Sequence, residues 1–177
     1  MHISEIRTVK KSYTFDYPGQ VDCADIEVDG ISFRELLESL GFDLISCLGW
    51  GAEDYQKDAI SRLMLKNSGD LKENRHSLYV CPACGDMGCG GVSLEVVCTD
   101  DIVIWRDFGF EYNYGDQGVS REKLKNVGPY YFNWNNYSQE IEKTYGLGNL
   151  LPSLDISDEE IKAKLETLYN DFIKDNS

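Results

Sequence analysis

Three cysteines fall within nine residues in Leu78-Tyr-Val-Cys-Pro-Ala-Cys-Gly-Asp-Met-Gly-Cys-Gly-Gly91. Cys81 and Cys84 have the Cys-x2-Cys spacing that lets two thiolates at the tip of a turn reach one tetrahedral zinc ion, and Cys89 follows closely enough to be a third ligand. The fourth ligand is the difficulty. If residues 92–98 form an extended strand at ~3.3 Å per residue, Cys98 sits about 20 Å from the turn. His76 meets the same objection on the incoming side, which leaves Cys23, Cys47 or His2 to come from elsewhere in the fold. Two other readings stand beside zinc. The cysteines can be small hydrophobes packed next to glycines that the turn needs. A thiol–disulfide role needs a thiolate of lowered pKa, usually at a helix start, and Gly85-Asp-Met-Gly88 opposes a helix there.

Other catalytic sets are harder to find. His2 is at the terminus, His76 falls in a charged connector from Leu71, and no Ser, His and carboxylate group stands out. The informative acids follow the cysteines. Asp100, Asp101, Asp107, Glu111 and Asp116 are interleaved with Trp105, Phe108, Phe110, Tyr112 and Tyr114. Carboxylates supply steering and register, and rings supply anchors, so Asp100, Asp101, Asp107, Glu111, Tyr112, Tyr114 and Asp116 are candidate contacts for a basic protein. Trp105 and Phe108 read as core residues of a strand.

The charge agrees with a basic partner. Among 177 residues, 31 acidic against 17 basic side chains leave a net charge of −14 and a pI near 4.4. Nucleic-acid phosphates would be repelled, whereas a cationic protein would be steered in; acidity also serves solubility alone. The N-terminal residues alternate in polarity without an export-type apolar run, and no segment suits a membrane span. A cytoplasmic location with reduced thiols is expected.

Alternation over 3–15, ended by Asp16-Tyr-Pro-Gly19, predicts a first strand, and Ala24–Val28 a second, left by an Asp29-Gly30 turn. Ser32 with Glu35 forms a capping box for a helix carrying Phe33, Leu36, Leu37 and Leu40 on one face, stopped by Gly41. Ala52–Lys66 predicts a second helix and Trp134–Tyr145, capped by Asn133, a third. A fourth opens at the capping box Ser157-Asp-Glu-Glu160. Alternating positions up to and beyond the cysteine turn, and again over 102–110, predict a strand meander. Residues 111–127 read as a long surface loop, and Gly128–Phe132 as a returning strand. The expected fold is one α+β domain over 1–177, an antiparallel sheet including the cysteine hairpin, with about four helices around it.

The cysteine–glycine stretch, Val103-Ile-Trp-Arg-Asp-Phe108, Glu111, and Gly128-Pro-Tyr-Tyr-Phe132 with Tyr137 together resemble a widespread family of small, uncharacterised bacterial proteins. The resemblance covers roughly residues 78–137, and a cysteine matching Cys98 is not part of that pattern. In size and acidity the chain is similar to immunity proteins that neutralise toxins passed between competing bacteria. This implies a non-enzymatic binding protein covering a basic toxin domain. The alternative is a zinc-binding or thiol-redox accessory protein using Cys81, Cys84 and Cys89.

Overall fold

A computed structural model describes residues 1–112, 118–148 and 150–151. Its first unit is an antiparallel sheet of β1 (Ile6–Thr14), β2 (Gln20–Val28) and the short β3 (Ile31–Ser32), in that order. Asp29 and Gly30 make the turn between β2 and β3 with φ of 51° and 78°, the left-handed backbone that an Asp-Gly pair tolerates. β2 is longer than its sequence pattern suggests. Cys23, Ala24, Asp25 and Ile26 are all buried, so the alternation that marks a half-exposed strand is missing there.

Ser32 opens α1 (Phe33–Ser39) as the capping residue, its Oγ accepting from the Glu35 amide at 3.2 Å while donating to buried Asp25 at 2.7 Å. Gly41 follows with φ 85°, and its amide donates to the Glu38 carbonyl. The helix drives Phe33 into an aromatic cluster with Tyr79, Trp105, Phe108 and Tyr130, at centroid separations of 5.5–6.4 Å. Next come β4 (Ile45–Ser46), β5 (Gly51–Ala52) and α2 (Glu53–Leu63), which buries Ala59 and Leu63.

The second sheet is the meander. β6 (His76–Val80), β7 (Gly91–Thr99), β8 (Ile102–Glu111) and β9 (Tyr130–Asn133) lie side by side in chain order, all antiparallel, with β4 on the outer side of β6. Every residue of β6 is buried. A register irregularity shapes β8: Arg106 faces Glu95 and Gly109 faces Ser93, so Asp107 and Phe108 together occupy the place opposite Leu94. At this bulge Asp107 has φ 52°.

Asn133 caps α3 (Trp134–Glu142), its Oδ1 accepting from the Asn135 amide at 3.0 Å. α3 then covers the open edge of β1, where Asn136 accepts from the Ile6 amide at 3.3 Å and Glu140 from the Thr8 amide at 2.6 Å. The Ser4 amide donates to the Tyr131 carbonyl at 2.7 Å and ties the first sheet to β9. Trp105 donates to the Tyr137 hydroxyl, which donates to the Leu63 carbonyl, linking β8, α3 and α2 through the core. Finally β10 (Leu150–Leu151) pairs parallel with β5.

The α+β class and the antiparallel meander agree with the sequence pattern, and three α-helices are present among the described residues rather than about four. The helix expected from Ser157 lies outside the described residues. The connector expected over Leu71–His76 needs correction at its end. Arg75 and His76 are each 1 % exposed; His76 opens β6 and Arg75 immediately precedes it, buried because carboxylates on β8 match its charge from inside. No helix of the described residues is long and apolar enough to cross a membrane.

Candidate functional site

The wide turn between β6 and β7, residues 81–90, brings Cys81, Cys84 and Cys89 together with all three sulfurs within 4.8 Å of one another. Backbone contacts set this shape. The Gly85 amide donates to the Cys81 carbonyl at 2.8 Å, the Gly88 amide to Asp86 Oδ1 at 2.7 Å, and the Gly90 amide to the Met87 carbonyl at 3.1 Å. Met87, 2 % exposed, anchors the turn to the core. Gly90, at φ 92°, has no room for a side chain, since a Cβ there would run into the Phe110 ring.

Of the three sulfurs, Cys81 has the environment that favours a thiolate. Burial opposes ionisation of Cys81, but the amides of Cys84 and Ala83, with the Cys84 and Cys89 thiols, hold it below the ordinary thiol range. Cys84 moves the other way, pushed up to about 12 by desolvation at its sulfur and by Cys89 and Cys81, against the amides of Cys89 and Asp86. One thiol of the group is therefore acidified while its neighbour keeps its proton, as expected of groups that share charge at close range.

These residues fit a zinc ion. Zinc at ~2.3 Å from each sulfur spaces tetrahedral ligands about 3.8 Å apart, within the separation observed, and thiolate is the donor that zinc prefers in closed structural sites. Among the described residues no fourth Cys, His, Asp or Glu joins the three. Cys98 is exposed near the opposite end of β7, about 23 Å along the strand from Gly91. Cys23 and Cys47 are buried in the core, where desolvation pushes both thiols up to about 12.

The acidic candidates are not one surface. Asp100 and Asp101 form the β7–β8 turn, whereas Glu111 and Tyr112 are at the other end of β8, ~30 Å away for a ten-residue strand. Asp107 is paired with Arg75 at 2.6 Å and with Arg121 at 2.5 Å. Hydrogen bonding from Arg121 leads the causes that hold its carboxyl below the usual carboxylate range. Glu111 is 6 % exposed and accepts from Arg75 Nε at 2.9 Å and from the Ser93 hydroxyl. Tyr112 is exposed, its ring edge-on to Phe110 at 5.4 Å. Tyr114 and Asp116 lie outside the described residues. Arg75, Ser93 and Arg121, which organise Asp107 and Glu111, carry no mark in the sequence beyond their polarity. Arg75, Glu111, Tyr112 and Arg121 line a cleft of about 340 Å³.

No known protein family, curated protein or solved structure matches this chain. The functional reading therefore rests on the chemistry of the site.

His76 adds a pH dependence. Neither ring nitrogen has a hydrogen-bond partner among the described residues. Burial lowers its pKa, with Arg62 and Arg75 adding to the effect against the pull of Asp70. The unfolded chain takes up this proton near pH 6.5 while the folded one resists it, so the stability is full above that pH and falls as the solution is acidified. Between pH 7.5 and 5 the loss is expected to reach at most about 2 kcal/mol from this residue. Denaturant titrations of wild type and His76→Leu at both pH values measure it. Equal pH dependence in the two proteins would show that His76 is not the group responsible.

Proposed function

We propose that this chain is a non-enzymatic binding protein whose β6–β7 turn is held by a structural zinc ion and whose partner is a basic protein. The observation that carries the metal part is the convergence of the Cys81, Cys84 and Cys89 sulfurs within 4.8 Å on a turn whose amides face two of them. A bound divalent ion would fix the turn and, with it, the exposed surface around Tyr112 and the hairpin. The sign of the partner's charge follows from the net −14 of the chain. Asp107 and Glu111 are neutralised by arginines, so of the acids named from the sequence Asp100 and Asp101 are the ones free of ion pairs among the described residues. A bacterial toxin domain neutralised by direct contact is the form of partner that the acidity and the sequence resemblance favour.

Metal analysis of the purified protein is expected to give one zinc per chain, and co-purification with a cationic protein encoded beside it is expected to give a salt-sensitive complex. Metal-free protein with unreactive thiols would remove the first half, and failure to bind or neutralise any neighbouring toxin the second. A thiol-redox reading has one observation in its favour, the acidified Cys81 next to exposed Cys84. Rapid, reversible loss of two titratable thiols under mild oxidation of the metal-free protein would support it over zinc.

A further inference from the structure

We infer that the fourth coordination position of the three-cysteine centre is left for a neutral nitrogen donor from outside the chain, the imidazole of a partner's histidine. This rests on the zinc reading above and goes one step beyond it. The residues outside the described part, 113–117, 149 and 152–177, contain neither Cys nor His. Of the remaining soft or imidazole donors, Cys23, Cys47 and His76 are buried in the core and Cys98 is at the far end of β7.

His2 remains. Its Nε2 is 3.2 Å from Asp29, and the nearby Ser4 amide is bonded to Tyr131, whose strand neighbour on β8 is Ile104 and, one strand further, Val97 on β7. Val97 is six residues beyond Gly91, so this end of the sheet is ~20 Å from the cysteine turn. His2 therefore cannot close the centre of its own chain without the N-terminus leaving β9.

Charge then selects the class of donor. Three thiolates around a divalent ion already leave one net negative charge, in a chain of net −14 and with Asp86 inside the same turn. A fourth thiolate or other anion would add to that charge, whereas imidazole completes a common zinc donor set without adding any. The exposure of Cys84 and Cys89 leaves the outer side of the centre open to such a donor.

The test uses the full-length protein loaded with cobalt(II) and titrated separately with imidazole and with 2-mercaptoethanol, following the thiolate-to-cobalt charge-transfer band and the visible d–d bands. Imidazole is expected to shift the d–d bands saturably while the thiolate band is retained, with half-saturation at least about tenfold below that of 2-mercaptoethanol, equivalent to about 1.4 kcal/mol. His2→Ala should respond as wild type does. Failure of any thiolate band to form overturns both the zinc reading and this inference. A thiolate band whose d–d envelope ignores imidazole, or is lost on adding it, overturns the inference alone. Tighter binding of the thiol overturns the choice of a neutral donor, and an imidazole response that is absent or weaker in wild type and appears in His2→Ala overturns the outside donor by assigning the position to the chain's own terminus.

Discussion

Replacing Arg75 by methionine is expected to lower the folding stability by about 3–5 kcal/mol, the usual cost of removing one partner from a buried ion pair. Every arm of this guanidinium is engaged. Nε donates to Glu111 at 2.9 Å and Ser93 at 3.1 Å, Nη1 to Asp107 at 2.6 Å, and Nη2 to Ser93 at 2.9 Å and the Asp107 carbonyl at 2.7 Å. Without it, Glu111 keeps a charge out of water and Asp107 loses the contact that holds the left-handed bulge. At roughly 2–4 °C per kcal/mol for a chain of this length, the melting temperature should fall by about 10 °C. Arg75→Lys should recover little, because an ammonium cannot reproduce the fork. The double variant Arg75→Met with Glu111→Leu should recover most of the loss, since it removes the stranded charge along with its partner. A single variant as stable as wild type would mean that these groups do not form a buried network.

The second large effect is expected at the cysteine turn. Cys84→Ser should reduce bound zinc from one per chain to less than about a tenth under conditions where wild type is saturated. Wild type should lose about 3 kcal/mol on chelation, the linkage expected when free metal exceeds its dissociation constant by a few hundredfold. Thermal melts with and without chelator read this directly, and Cys84→Ser should melt at the same temperature in both. Cys98→Ser is the control and should behave as wild type, because its thiol lies at the other end of β7. A chelator shift that survives in Cys84→Ser would place the metal somewhere other than this turn. The fold itself should persist in the variant, since the aromatic cluster around Phe33 and the rest of the core do not depend on the turn.

Short-range chemistry was readable from the order of residues alone. The Ser32 cap, the Gly41 stop, the Asp29-Gly30 turn, the Asn133 cap and the cysteine hairpin each depend on backbone geometry within a few positions, and each is present where its pattern places it. The burial of Trp105 and Phe108 was legible from residue type, since large aromatics fill cores, but at a spacing of three both reach the buried side only because the bulge at Asp107 breaks the alternation.

What the tertiary structure alone decided is which charges meet. Arg75 reaches Asp107 and Glu111, which are 32 and 36 residues away, across three adjacent strands whose register is shifted at Ser77/Tyr79 and again at Ser93/Glu95. One residue of slip would turn these side chains to the opposite face, and nothing local specifies the slip. The same cause divided the acidic stretch. Residues close in sequence were carried to opposite ends of β8 because an extended strand separates what it connects, so a run of acids and rings became one exposed turn, one internal ion-pair network and one exposed tyrosine.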